Sequence, residues 1–309
     1  MKKILLLAFC AFSLSLFSQE NTNQNKFRQL GTELPTPNVY RTASGAPGPQ
    51  YWQQEADYKM KIEIDDENAK LNGQSTIKYK NNSPDELRYL WLQLDQNVRA
   101  PETDSKKIRG GSVSDRVSLR SLESMESNFE GGFNIMKVTN SSGKMMKYTI
   151  NKTMMRIDLA EPLESGDDVT FNVEWWYNIN NTKEDRGRSG YEPFAEDDNN
   201  VYVIAQFFPR MCKYYDVYGW QNKQFLGRGE FTLEFGDYEV EITVPADHLV
   251  ASTGLLQNEG SVLTGEQKSR MSKARKTYDQ PITIATREEA DERIKTKSRS
   301  TKTWKFKAE

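Results

Sequence analysis

The stretch "YKMKIEIDDENAKLNGQSTIKYKNNS" constrains the fold more than any other part of the chain. Met60, Ile62 and Ile64 fall on one face of an extended segment, and Lys59, Lys61 and Glu63 fall on the other. An alternation of period two suits a half-buried β-strand and cannot sit on a helix. "DDENAKLNG" then turns the chain, and Ile77 and Tyr79 share a face on the way back. The same grammar recurs in "RIDLAEPLESGDDVTFNVEWWY", where "PLESGDD" is the turn and Val169, Phe171, Val173 and Trp175 alternate. It returns in "GEFTLEFGDYEVEITVPADHLVASTGLLQN" and in "TKTWKFKAE". "ELRYLWLQLD" is apolar at both parities, which predicts a strand deep between two layers. The expected architecture is all-β, an antiparallel sandwich or saddle-like domain.

One segment breaks the pattern. Residues 264–297 are highly charged and rich in helix formers, so we expect a short charged helical insertion near the C-terminus, two surface helices broken at Pro281. At the other end, Lys2 and Lys3, the apolar run Ile4 to Phe17 and the small Ser18 read as a signal peptide over residues 1–18. This predicts an exported protein, periplasmic or secreted, without a membrane span. Residues 19–50, rich in Asn, Gln, Thr, Pro and Gly, read as an extended arm, and the domain is expected over 51–309.

Composition excludes several chemistries. The net charge of -2 gives no reason to expect a nucleic-acid partner. Only two cysteines are present, and cleavage after Ser18 would remove Cys10, leaving Cys212 with no partner for a disulfide. The single histidine, His248, and that single thiol cannot build the usual zinc ligand sets, so no metal cofactor is expected in this chain. A Cys212–His248 nucleophile and base would need both residues within hydrogen-bond reach, whereas a lone Cys is more often a small buried hydrophobe. The acidic cluster Glu192, Glu196, Asp197 and Asp198 lacks calcium-loop spacing and reads as a solvated loop. "RGGSV" and "EGGF" follow no phosphate-binding pattern.

The densest aromatic stretch is "VYVIAQFFPRMCKYYDVYGW", residues 201–220. Aromatic rings interleaved with Gln206 and Arg210 suit either a ligand-facing wall or ordinary sandwich core. In context, "AQFFPRMCKYYD" followed by "GDYEVEITVPADHLVASTGLLQN" resembles the N-terminal β domain of the aminopeptidase N family of zinc metallopeptidases. The matching residues are Tyr238, Val240, Ile242, Val244 and Pro245, then Leu249 to Gly254. The opening hairpin is similar too, with Leu71 to Gly73 at the place of the family's turn before its second strand.

The resemblance implies a non-catalytic domain of an exported aminopeptidase. Zinc and the H-E-x-x-H motif would belong to a thermolysin-like catalytic domain beyond this chain, and that domain and a peptide's amino terminus would be its partners. It implies no catalytic or metal-binding residue here, and it points to Gln206, Phe208 and Arg210 as substrate-binding residues. Gln206 matches the family's Gln. Phe208 stands where the family carries an acidic residue or Gln, and its ring face would attract an ammonium by about 0.5–1 kcal/mol. The alternative is a stand-alone β-sandwich module that binds peptide or glycan. A surface left bare by a missing catalytic domain should expose apolar side chains.

Overall fold

The computed structural model describes residues 37–108, 116–119, 129–185, 187, 189–194, 198–227, 229, 232–295 and 297–309. The expected signal peptide, residues 19–36 of the arm, the "RGGSV" piece, and Glu196 and Asp197 lie outside them. The chain forms two compact units, Met1–Gln53 and Gln54–Glu309. In the described part of the first, the arm is not simply extended. Asn38 Oδ1 accepts the amides of Tyr40 and Arg41 at 2.8 and 2.9 Å, and Arg41 bridges to Pro47, closing a local turn.

The second unit is mostly strand. Its elements are β1 (Glu55–Asp65), β2 (Lys70–Lys80), β3 (Leu87–Gln93), α1 (Asp104–Ile108), β4 (Asn134–Asn140), β5 (Lys147–Asn151), β6 (Met154–Leu163), β7 (Asp168–Asn178), β8 (Gly190–Phe194), β9 (Asn199–Val203), β10 (Arg210–Met211), β11 (Tyr214–Tyr215), β12 (Gly219–Trp220), β13 (Tyr238–Pro245), β14 (Leu255–Leu256), α2 (Glu259–Val262), α3 (Gly265–Ala274), α4 (Arg287–Ile294) and β15 (Thr301–Ala308). A seven-stranded sheet has the order β14-β15-β13-β1-β2-β7-β4, and a four-stranded sheet has the order β10-β3-β6-β5. This is the all-β domain with a small charged helical part that the alternation predicts.

The register explains which residues are inside. Tyr58, Met60 and Ile62 of β1 lie opposite Tyr238, Val240 and Ile242 of β13, and Ile77, Ser75 and Gly73 of β2 lie on the other flank. β7 continues the row with Phe171, Val173 and Trp175. Directly paired residues point to the same side, so these form one continuous apolar face. Over β2 and β7 that face meets the four-stranded sheet, whose Leu90, Leu92, Met155 and Ile157 are fully buried with Ile77, Tyr79, Phe171 and Val173. At the far edge it meets α2 and α3, where Val244, Val262, Leu263, Trp304 and Phe306 form a second cluster.

Three local outcomes differ from the sequence reading. First, β1 and β13 pair in parallel within a sheet whose other pairs are antiparallel. Alternation fixes the face of a strand but carries no information about its direction. Second, Leu71–Gly73 is strand, not turn. The chain reverses at residues 66–69, where Asn68 donates its amide to Asp65 Oδ1 at 3.1 Å and Ala69 takes φ +46°. Gly73 stays in β2 because a Cβ there would run into the Trp175 indole. Third, β3 is not apolar on both faces in the sense of lying between two layers. Its register shifts between Leu87 and Tyr89, so Leu87, Leu90 and Leu92 are all buried while Tyr89 and Trp91 are half-exposed. A bulge lets both parities serve one core.

The charged segment holds α3 and α4, with Pro281 in the non-helical stretch between them. Each helix starts in a capping box: Thr264 with Gln267, and Thr286 with Glu289. Arg270 Nη1 reaches Glu289 at 2.8 Å and ties α3 to α4. No described helix is long and apolar enough to cross a membrane.

Candidate functional site

Between the two buried clusters a cavity of about 750 Å³ opens over the apolar face of the large sheet. Met60, Ile62 and Ile64 of β1 and Val240, Ile242 and Val244 of β13 are its floor. Its walls come from β9, from the loop that runs on to Arg210, from residues 247–253, and from Ala290 and Ile294 of α4. Gln206, Phe208 and Arg210 all line it, so the structure brings the three expected residues together. It adds Tyr202 from the same aromatic stretch, and His248 and Asp66 from segments with no local signal of a site.

The loop carrying Gln206 is held from several sides. Ser189 Oγ accepts the Ala205 amide at 3.2 Å. Gln96 Nε2 donates to the carbonyls of both Ala205 and Gln206, each at 3.0 Å. Trp175 Nε1 donates to the Phe207 carbonyl at 3.0 Å, and the Met211 amide donates to Tyr58 Oη at 2.9 Å. These bonds fix Gln206 at φ +54°, a left-handed conformation uncommon for a residue with a side chain. Backbone held in such a region by its surroundings tends to mark ligand-contacting loops. Among the described residues the Gln206 side-chain amide has no hydrogen-bond partner.

Phe208 packs edge-on to Tyr58 and Phe207 at 5.2 and 5.0 Å, and Tyr58 stacks on Tyr238 at 5.0 Å. The rings contact one another rather than forming an open stacking platform. Arg210 makes a two-pronged ion pair with Asp95, Nε to Oδ2 at 2.8 Å and Nη2 to Oδ1 at 2.7 Å, and Asp95 is only 1% exposed. Its charge is therefore spent inside the protein.

Beside β13, Asp247 accepts the Ser298 amide at 2.7 Å and faces His248 Nδ1 at 3.0 Å. Burial alone would raise the Asp247 carboxyl; the Ser298 amide and His248 outweigh it and hold the carboxyl below its usual range. An ionised carboxylate only accepts, so Nδ1 carries the hydrogen and donates it to Asp247. His248 Nε2 is buried and has no partner. Tyr202 Oη donates to Asp66 at 2.6 Å; burial and then Asp66 push its phenol well above the ordinary value.

Cys212 is 1% exposed and is not part of the cavity wall. Its amide bonds the Trp91 carbonyl at 2.9 Å, placing it in the small sheet, while His248 stands beyond the end of β13 with Asp247. Burial, and after it Asp95, drives the thiol far above its usual value, so it stays protonated and is no nucleophile. Among the described residues no three His, Cys, Asp or Glu side chains gather as a metal cluster.

No protein-family model and no curated protein matches the chain. Among solved structures it is similar to an M1 zinc metallopeptidase from Deinococcus radiodurans, at 12% identity and TM-score 0.37, over 82% of this chain and 39% of that one. A mutant M1 zinc metallopeptidase from Deinococcus radiodurans, bound to a Tyr-Ser-Ala substrate, gives 11% identity and TM-score 0.39 over 82% and 39%. A mutant two-domain M1 zinc metallopeptidase bound to L-tryptophan gives 12% and 0.39 over 85% and 41%. The chain thus spans about two fifths of the length of the solved structures it matches, and likeness this loose fixes neither family nor activity.

Proposed function

We propose that this chain is the non-catalytic N-terminal β domain of an exported zinc aminopeptidase, lining part of its substrate cleft. The observation that carries this reading is a convergence. Two stretches that resemble the aminopeptidase N family are separated by about 30 residues in sequence: Ala205–Phe208, and Tyr238–Pro245 with Leu249–Gly254 just after it. Residues of both line one cavity. Gln206 is the proposed contact to the peptide, its amide free and its backbone fixed. Phe208 is an apolar wall, and Arg210, saturated by Asp95, positions the loop. Exposed Val201, Val203 and Leu249 near the cavity suit an interface with a thermolysin-like catalytic domain.

In this reading zinc and the water it activates belong to that other domain. The test is hydrolysis of aminoacyl amides together with metal analysis. Residues 51–309 alone should bind no stoichiometric zinc and hydrolyse nothing. A polypeptide that joins them to an H-E-x-x-H domain should be active, and Gln206→Ala should raise its KM more than it lowers kcat. Tightly held zinc in residues 51–309 alone would contradict the proposal.

A further inference from the structure

We propose that the cavity along β13 is a binding site for a cationic amphiphile, an apolar body carrying one ammonium head, with Asp66 as its counter-ion. This goes beyond the peptidase reading and does not rest on it. There the ligand is a peptide and the contact is Gln206, whereas here the head group sits at the turn between β1 and β2. A volume of about 750 Å³ lies within the range of small-molecule pockets, and the floor is aliphatic.

Charge decides the head group. Besides His248, the ionisable acids and bases of the wall are Asp66, Asp247, Arg210, Arg293 and Lys297. Arg210 is matched by Asp95 and Lys297 by Asp198. What remains is Asp66 and Asp247 against Arg293, which is itself engaged within the protein. While His248 is uncharged, the wall therefore carries one carboxylate more than its cations balance. Lys297 is within electrostatic reach of Asp66 and Asp247 as well as Asp198, so three carboxylates gather round that one ammonium.

Asp66 is the carboxylate left for a ligand. It is half-buried, and its hydrogen bonds from Tyr202 Oη at 2.6 Å and Asn200 Nδ2 at 3.2 Å both end on Oδ1. Both donors are neutral, and both residues line the cavity themselves. Among the described residues no hydrogen bond reaches Oδ2. Asp247 differs, with Oδ1 facing His248 and Oδ2 taking the Ser298 amide. A carboxylate partly stripped of water beside an apolar floor attracts a cation more strongly than one in open solvent. An ammonium on Asp66 would gain a charge-assisted hydrogen bond there. A neutral head would displace water from Asp66 without supplying the opposite charge, and an anionic head would face two carboxylates.

The test is calorimetric titration of the folded full chain with decylammonium, decanol and decanoate, three heads on one alkyl chain. We expect one saturable site for decylammonium, about tenfold tighter than decanol, with decanoate weakest. Asp66→Asn keeps an oxygen for Tyr202 but removes the charge; it should bring decylammonium down to the affinity of decanol and leave decanol unchanged. Glu63→Gln, on the exposed face of β1, removes a charge outside the cavity and should alter none of the three. Val240→Trp, which fills the floor, should abolish binding of all, and Ala251→Trp at the rim does the same if the first variant melts early. Absence of saturable binding by the folded chain would overturn the proposal. So would equal affinity for decylammonium and decanol, tightest binding of decanoate, or an ammonium preference that survives Asp66→Asn. Binding of several molecules that ignores both tryptophan variants would also overturn it, since that marks surface adsorption. None of these readouts involves zinc or peptide hydrolysis, so the peptidase proposal stands or falls separately.

Discussion

The large sheet has one continuous apolar face, but its two halves are treated differently. Over β2 and β7 the face is covered: Ile77, Phe171 and Val173 are wholly buried against Leu90, Leu92, Met155 and Ile157. Along β13 the same kind of residues, Val240 and Ile242, border an open cavity and are only half-buried, while Met60 and Ile62 of β1 beside them stay buried. Identical strand chemistry therefore stabilises the fold in one place and leaves a usable surface in the other. What separates them is the covering element. A four-stranded sheet closes the first half, while over the second a hydrogen-bonded loop and α4 stand at the sides.

This contrast can be broken by matched substitutions. The largest effect should come from Asp95→Ala, which strands the Arg210 guanidinium that pins the loop beside the cavity. The cost expected is about 3–5 kcal/mol in urea unfolding, in line with removal of one partner of a buried pair. Next, Ile77→Ala in the covered half should cost about 2–5 kcal/mol, whereas Ile242→Ala on the cavity floor should cost about 1–2, because fewer packed neighbours are lost. Equal losses would mean that the cavity is filled in solution.

The reverse experiment is sharper though smaller. Val173→Leu overpacks a closed core and should cost about 1–3 kcal/mol, while Val240→Leu extends into open space and should change stability by less than about 0.5 kcal/mol.

The smallest expected effect is a pH dependence at Asp247. Its carboxyl is held below the ordinary value of 3.8, so the folded state binds its proton less tightly than the unfolded state. The stability it contributes is fully present above 3.8 and is lost as pH falls through the lower folded value. Asp247→Asn should therefore be less stable than the parent chain at neutral pH, and acid titration of both by circular dichroism should show the gap closing as pH falls from 3.8 through the lower folded value.

Much of the covered half was legible in the sequence. Val169, Phe171, Val173 and Trp175 alternate because one face is wet and one is dry, and the turn at "PLESGDD" falls where β6 hands over to β7. The cavity was only half legible. Gln206, Phe208 and Arg210 stand close together in sequence, so an aromatic stretch could flag them. The residues that make them a site come from elsewhere: Gln96, Asp95 and Ser189 are polar residues in unrelated segments, and nothing local distinguishes a buried Gln that anchors a loop from an exposed one. The parallel pairing of β1 with β13 is equally invisible, since period two is the same in either direction. In sequence, His248 offers itself only as a zinc ligand or as a base for Cys212, the other rare residue. The fold instead gives it to its neighbour Asp247, a contact that sequence adjacency permits but does not reveal.

The central claim is that the floor along β13 is open in the folded protein while the floor over β2 and β7 is closed. Cysteine reactivity tests it most directly. Val240→Cys and Val173→Cys are each treated with N-ethylmaleimide under native conditions, with the buried Cys212 of the parent chain as background. The thiol at position 240 should be modified at least about 100-fold faster than the one at 173, which must await unfolding. Equal protection at the two positions would contradict the account.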